Sequence, residues 1–334
     1  HQVQAVDAVG ENVTQFAPHK GVFMLHGLRL EETVDRIDPG AELIGISTMF
    51  SHEWPHTREL IRLIRRRLPH APIIVGGEHA TALAEFILET TPEVDACALG
   101  EGEESILAFT EALSASGPLH GIKGIATRTN GKIVNNGLRP RSKQVDAIPR
   151  PAWELFPVNN YLDHGLCSGT FHGRSMPITF TRGCPYECTF CSNPGMWTQR
   201  WISRSPARVV EEMEWLIGQY GIENFECCDL TAIVRKDWTV EFSRLLIQRG
   251  LNIAWQFPSG TRSEAIDTEV CELLYRSGCR NLVYAPESGS PAVLKRIKKR
   301  VNLDNMIKSI KSARDAVINV RVKLVLGFPG DTHR

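Results

Sequence analysis

A chain of 334 residues, 42% of them apolar, can bury a sizeable core and is long enough for two ordinary domains. Basic and acidic side chains number 38 each, and no long basic run stands out. Nothing in the charge balance therefore calls for nucleic acid or an anionic membrane surface, and a small molecule is the default partner. No apolar run approaches the roughly 20 residues of a membrane-spanning helix, and no secretory signal opens the chain. The sequence reads as cytosolic, with its nine cysteines as reduced thiols rather than a disulfide framework.

In chain order, "HQVQAVDAV" alternates like a strand, with no earlier strand and helix to open a domain. "AELIGISTMF" is a buried-strand pattern, and "HTRELIRLIRRRL" is a helix with Leu60, Ile61, Ile64 and Leu68 on one face. "APIIVGG" reads as strand, "ALAEFILETT" as helix, "VDACALG" as strand and "EESILAFTEALSASG" as helix. This alternation predicts a parallel, doubly wound, Rossmann-like sheet with a ligand crevice at the carboxyl ends of its strands. "GIKGIATRTNGKIVNNG" follows as a hairpin turning at Asn130-Gly131. The Pro- and Arg-rich stretch after it marks a linker over residues 138–175, so the first domain spans 1–137.

From 176 to 334 the alternation resumes. "MPITFTRG" is a strand running into a cysteine loop, and Ser205, Pro206 and Gly221 bracket a helix with Val209, Val210, Met213, Leu216 and Ile217 as its stripe. "NFECCDL", "NIAWQFPSG", "RNLVYAPESGS" and "VRVKLVLGFPGD" are further strands, with helices "DWTVEFSRLLIQRG" and "DTEVCELLYRSG" and a longer helical region between them. The whole is an α/β chain whose second half is a partial (β/α)6, TIM-type barrel, with chemistry expected at the carboxyl ends of its strands. Both ends look cut on this reading. The chain would be a fragment lacking the opening strand and helix of the first domain, and the last strand and C-terminal segment of the barrel.

The cysteine loop, "TRGCPYECTFCSNPGMW", sets Cys184, Cys188 and Cys191 in a C-x-x-x-C-x-x-C spacing at such a strand end. Three thiolates can hold three irons of a [4Fe-4S] cluster and leave the fourth without a protein ligand, open to a substrate. A ferredoxin-type cluster would want a fourth cysteine, and structural zinc a closed tetrahedron from paired C-x-x-C units. Cys97, Cys167, Cys227, Cys228, Cys271 and Cys279 lack that spacing and read as small buried apolar residues. Cys227 and Cys228, adjacent on a strand, should face opposite sides.

The cysteine spacing, with Phe190 just before the third thiol, resembles the signature of radical S-adenosylmethionine (SAM) enzymes. That resemblance implies a cluster whose open iron chelates SAM, and reductive cleavage of SAM to a 5′-deoxyadenosyl radical. It places Phe190 against the adenine. Along the barrel "ECCDL", "PSGTRSE", "APESGS" and "LGFPGD" match further, bringing Glu287 and Ser288 toward the ribose or methionyl end of SAM and Arg262 toward its carboxylate. A plainer reading gives Glu287 to a helix N-terminus and Arg262 to a surface ion pair. Trp197 and Trp201, flanking the loop, offer apolar area on the substrate side.

The first half is similar to the cobalamin-binding domain preceding the barrel in one branch of the family, through "LIGISTM", "IIVGGEHAT" and "ALGEGEE". Gly76 and Gly77 would let backbone approach a bulky ligand, Ser47 and Thr48 supply hydroxyls, and Gly100, Glu101, Gly102 and Glu103 form a third edge. The Asp-x-His-x-x-Gly stretch that supplies a cobalt-ligating histidine in many such domains is not found in this half. "DTH" at 331–333 is a chance partial match on the other domain. His26, His52, His56 and His79 read as surface or core histidines, with His79 the one to test.

The resemblance thus implies a cobalamin-dependent radical SAM enzyme that methylates an unactivated carbon of a small molecule, with an electron donor such as flavodoxin or ferredoxin. It also implies a barrel mouth facing the cobalamin crevice. The runner-up is oxidative cyclisation of the magnesium-protoporphyrin monomethyl ester type. A cobalamin- or cluster-based sensor or electron carrier is the non-enzymatic alternative.

Overall fold

The computed structural model describes residues 2–21 and 23–331, so two of the three residues of "DTH" lie outside the described residues. Two compact units emerge: one comprises residues 1–142, 152–160 and 195–197, the other 143–151, 161–194 and 198–334. The stretch expected to be one linker is therefore divided between them.

The first unit opens differently from expectation. Residues 2–7 form no strand, and Ala8–Glu11 make one helical turn capped by Asp7, whose Oδ1 accepts from Gly10 N at 3.0 Å. The carboxylate meets a helical N–H locally, and no neighbouring strand pairs with this stretch. An antiparallel hairpin follows, β1 (Phe16–His19) with β2 (Phe23–His26), then helix α1 (Leu30–Arg36).

The main sheet is built from β3 (Ile44–Ser47), β4 (Ile73–Gly76), β5 (Ala96–Ala98), β6 (Ile125–Thr129) and β7 (Lys132–Asn135) in that spatial order. β3, β4 and β5 are parallel, joined by α2 (Trp54–Arg67) and α3 (Glu78–Thr90). After α4 (Glu103–Ser114) the predicted hairpin adds antiparallel to β5, turning at Asn130 and Gly131, both with positive φ. Alternation along β4 sends Ile73 and Val75 into one core with Ile61, Ile64, Ile87 and Leu88 of α2 and α3. Ile74 goes the other way, joining Ala96, Phe109 of α4 and Ile125. Helices thus cover both faces, giving the three-layer, Rossmann-like arrangement.

The second unit is a parallel sheet of β8 (Ser175–Ile178), β9 (Asn224–Cys227), β10 (Ala254–Thr261), β11 (Cys279–Glu287) and β12 (Asn319–Leu324), paired in chain order. Among the described strands the barrel is not closed. The intervening helices are α5 (Pro206–Tyr220), α6 (Lys236–Arg249), α7 (Thr268–Arg276) and α8 (Leu303–Asp315). α5 shows the anticipated punctuation: Ser205 accepts from Arg208 N, Pro206 opens the first turn and Gly221 closes it at φ 64°. Its Val209, Val210, Met213 and Leu216 are buried. Phe180, Trp238, Phe242, Trp255 and Phe257 interlock with ring centroids 4.7 to 6.3 Å apart.

Residues 168–174, expected to be linker, belong to this unit. Inward-facing side chains of three adjacent strands hold them: Glu226 accepts from Ser168 N and Gly169 N at 2.8 and 2.6 Å. Gln256 exchanges two hydrogen bonds with the Thr170 backbone, and Asn281 Nδ2 meets His172 Nε2 at 2.6 Å. Among the described residues no helix is long and apolar enough to cross a membrane.

Candidate functional site

The cysteine loop leaves β8 at a point fixed by Asp229, just beyond β9. This buried carboxylate accepts from Phe180 N at 2.9 Å, from Thr181 N and from Thr181 Oγ1, and the Cys227 thiol donates to it at 2.8 Å. Burial pushes the Asp229 carboxyl above its ordinary range, and these hydrogen bonds oppose that push. The result clips two strand ends together three residues before Cys184. Further on, Gly183 takes φ 83°, Cys191 N donates to Cys188 O at 3.1 Å, and Asn193 Nδ2 holds Cys184 O at 3.2 Å.

No disulfide ties up the three thiols. Burial pushes Cys184 above the usual thiol range, and Cys188 and Cys191 push it the same way, so the three sulfurs are close enough to interact electrostatically. For Cys188 burial again leads, opposed first by the ammonium of Lys299 and further by Arg262. Ligation requires thiolates, and these two cations favour them. Among the described residues no group of three or more His, Cys, Asp or Glu is set to hold a single metal ion. Three coupled thiols on one loop, flanked by two cations, fit the protein side of an iron–sulfur cluster with one iron left open.

Arg262, at the end of β10, is buried, stacks 3.5 Å over the Tyr186 ring of the loop and pairs with Glu264 at 2.7 Å. The ion pair of the plainer reading is thus present, with Glu264 at the surface and the Arg262 side chain buried against the loop. Glu287, ending β11 at φ 68°, pairs with Lys299 at 2.9 Å, and both side chains are largely buried. The N-cap of Pro291–Arg296 is Ser290, not Glu287; Ser288 Oγ accepts from Ser290 N at 3.2 Å. Phe190 remains 46% exposed, its ring 5.4 Å from Phe328. Trp201 is anchored by Nε1 to Thr231 O at 2.9 Å, and Trp197 lies 5.5 Å beneath the Arg141 guanidinium. Tyr186, Asp229 and Lys299 escaped the sequence reading, although Lys299 carried a signal in the charge run after "APESGS".

In the first unit the expected strand-end loops are bonded to one another. Thr48 N and Oγ1 both donate to Gly76 O, and His79 N donates to Thr48 O. Gly100 N donates to Thr81 Oγ1 at 3.0 Å. Gly77 sits at φ 105°, where an added Cβ would lie 2.6 Å from Thr48 O. Ser47 is exposed at the β3 end, and Met49 and Phe50 beside it are 47% and 56% exposed. Side-chain-free backbone beside exposed apolar side chains fits the flat face of a broad macrocycle such as cobalamin. Gly102 caps α4, whereas Glu101 is engaged by Arg141 at 3.2 Å, both side chains nearly buried.

His79 is a core histidine: Nδ1 meets Ser51 Oγ at 2.9 Å, and the ring packs 4.9 Å from Trp54. Burial lowers its pKa. His26 Nε2 meets Val13 O at 2.8 Å, and His52 is a surface residue. Cys97, Cys227, Cys271 and Cys279 are buried as expected; Cys228 is exposed and Cys167 half-buried, so the apolar reading fails for those two. Cys227 and Cys228 do face opposite ways.

Family comparison agrees with both halves. Residues 178–334 match the radical SAM superfamily, and residues 12–110 match the B12 binding domain. The chain belongs to the radical SAM superfamily, in the group carrying a B12-binding domain ahead of the radical SAM domain. SAM with its [4Fe-4S] cluster, and cobalamin, are the cofactors of these two domains. Cytidylyl-2-hydroxyethylphosphonate methyltransferase of Streptomyces wedmorensis is 30% identical over 356 residues, covering 98% of this chain and 66% of that protein. Anaerobic magnesium-protoporphyrin IX monomethyl ester cyclase of Synechocystis is 30% identical over 273 residues, covering 80% and 52%. The chain thus spans about two thirds of the first relative and about half of the second. In fold it is similar to the radical SAM methyltransferase TsrM of Kitasatospora setae, solved with cobalamin and a [4Fe-4S] cluster. That TM-score is 0.73 at 21% identity, over 91% of this chain and 61% of that one.

Proposed function

We propose that this chain is the cobalamin- and SAM-binding part of an enzyme that methylates a small molecule at an unactivated carbon. The observation that carries the reading is the loop of Cys184, Cys188 and Cys191, clipped to a parallel-strand end, in a chain that also holds a B12-binding domain. When bound, the cluster and SAM supply reductive cleavage to a carbon-centred radical, and cobalamin supplies a methyl carrier.

The chain's own residues bind and orient. Cys184, Cys188 and Cys191 ligate three irons, and Arg262 and Lys299 offset the negative charge of those thiolates. Phe190, exposed beside the loop, offers an apolar face for the adenine. Glu287 and Ser288 accept hydrogen bonds from SAM, with Lys299 holding the Glu287 carboxylate in place. In the first unit Ser47, Thr48, Gly76, Gly77, Gly100, Glu101 and Gly102 form the cobalamin edge, with Arg141 holding the Glu101 carboxylate in place.

Full-length protein reconstituted anaerobically with iron, sulfide and cobalamin, then given SAM, a reductant and candidate substrates, should form 5′-deoxyadenosine and S-adenosylhomocysteine together with methylated product. Formation of 5′-deoxyadenosine without stoichiometric S-adenosylhomocysteine would favour the cyclase reading, which the 30% identity to the Synechocystis enzyme supports. A chain forming neither product under those conditions would be a binding protein, and the enzymatic reading would fall.

A further inference from the structure

A net charge of zero conceals a concentrated basic segment: Lys295, Arg296, Lys298, Lys299 and Arg300 fall within six consecutive residues. Four of them, all but Arg296, line an open groove together with Glu187 and Asp304, so cations outnumber carboxylates two to one there. Arg296 pairs with Asp331, Lys299 with Glu287 and Arg300 with Glu187. Lys295 and Lys298 are exposed and form no ion pair among the described residues, leaving their charge directed at solvent.

The groove adjoins the cysteine loop directly. Glu187, in its lining, is the residue before Cys188, and Thr189 N donates to Ile297 O at 3.0 Å, inside the basic segment. An electron delivered at this wall enters one residue away from a cluster ligand. A patch of unpaired cations attracts an acidic partner and speeds its encounter.

We propose that the basic groove around Lys295 and Lys298 is the docking surface for an acidic one-electron donor protein that reduces the cluster. This rests on the functional reading above, in which SAM cleavage consumes one electron per event. The donor is oxidised by one electron and the cluster is reduced by one, with no bond made or broken at the interface.

The test follows anaerobic reduction of the reconstituted full-length protein by photoreduced flavodoxin, at low and at high salt, alongside reduction by dithionite. The wild-type rate with flavodoxin should fall by about tenfold or more as salt screens the attraction. A Lys295→Glu/Lys298→Glu variant should lose about tenfold at low salt and show little further salt dependence, while its reduction by dithionite and its melting temperature match wild type. An unchanged flavodoxin rate in that variant would overturn the docking proposal alone. A wild-type protein with no dithionite-reducible cluster would overturn the functional reading and this proposal with it.

Discussion

At single positions the structure separates strained from tolerant sites. Gly77 holds φ 105° and would set a Cβ 2.6 Å from the Thr48 carbonyl, which is backbone and cannot swing aside, whereas nothing lies within 4 Å of a Cβ at Gly45. Gly77→Ala should therefore cost about 1–3 kcal/mol or more and Gly45→Ala little, as read from denaturation midpoints. His79 gives a pH signature. Burial lowers its pKa below 6.5, so its contribution is full above that value and is lost as pH falls from there through the lower folded pKa. The melting temperature should drop more steeply between pH 7 and 5 in wild type than in His79→Gln. Equal slopes would remove His79 from the account. The glycine pair was visible in the sequence. That His79 packs on Trp54 was not, because twenty-five residues separate them and only the paired strands bring the starts of their helices together.

Elements were legible wherever period and punctuation agreed. The Ser205, Pro206 and Gly221 frame of α5, the Asn130-Gly131 turn and the five barrel strands all follow from local chemistry. "HQVQAVDAV" misled because alternation alone cannot supply a pairing edge, and Asp7 had a helical N–H to bind instead. Residues 168–174 misled for the opposite reason: weak periodicity looked like linker, but the backbone of Ser168, Gly169 and Thr170 is held by Glu226 and Gln256, whose partners no local pattern reveals. Asp229 shows how an element end positions the loop. Asp229→Ala would leave the buried N–H groups of Phe180 and Thr181 without acceptors, at about 1–3 kcal/mol each. Iron retained per chain after reconstitution should fall severalfold, and wild-type iron content in that variant would show that the clip does not shape the loop.

Across the whole molecule, cofactor chemistry is divided between two units, each with its own sheet and core. The domain order was readable because each half carries strand-end motifs in sequence, while the pairing of Glu287 with Lys299 and the stacking of Arg262 on Tyr186 depend on strand ends meeting in space. The division makes loss of one cofactor separable from loss of the other. A variant with alanine at Cys184, Cys188 and Cys191 should lose its iron yet keep cobalamin through gel filtration, measured by corrinoid absorbance; simultaneous loss of both would contradict independent sites.

The most direct test of the central claim is the electron paramagnetic resonance spectrum of the dithionite-reduced, reconstituted full-length protein with and without SAM. The account predicts a [4Fe-4S] signal that changes on adding SAM, as it must if SAM binds an iron left open by three thiolates, and that disappears in Cys188→Ala. A cluster signal indifferent to SAM, or one that survives unaltered in Cys188→Ala, would contradict it.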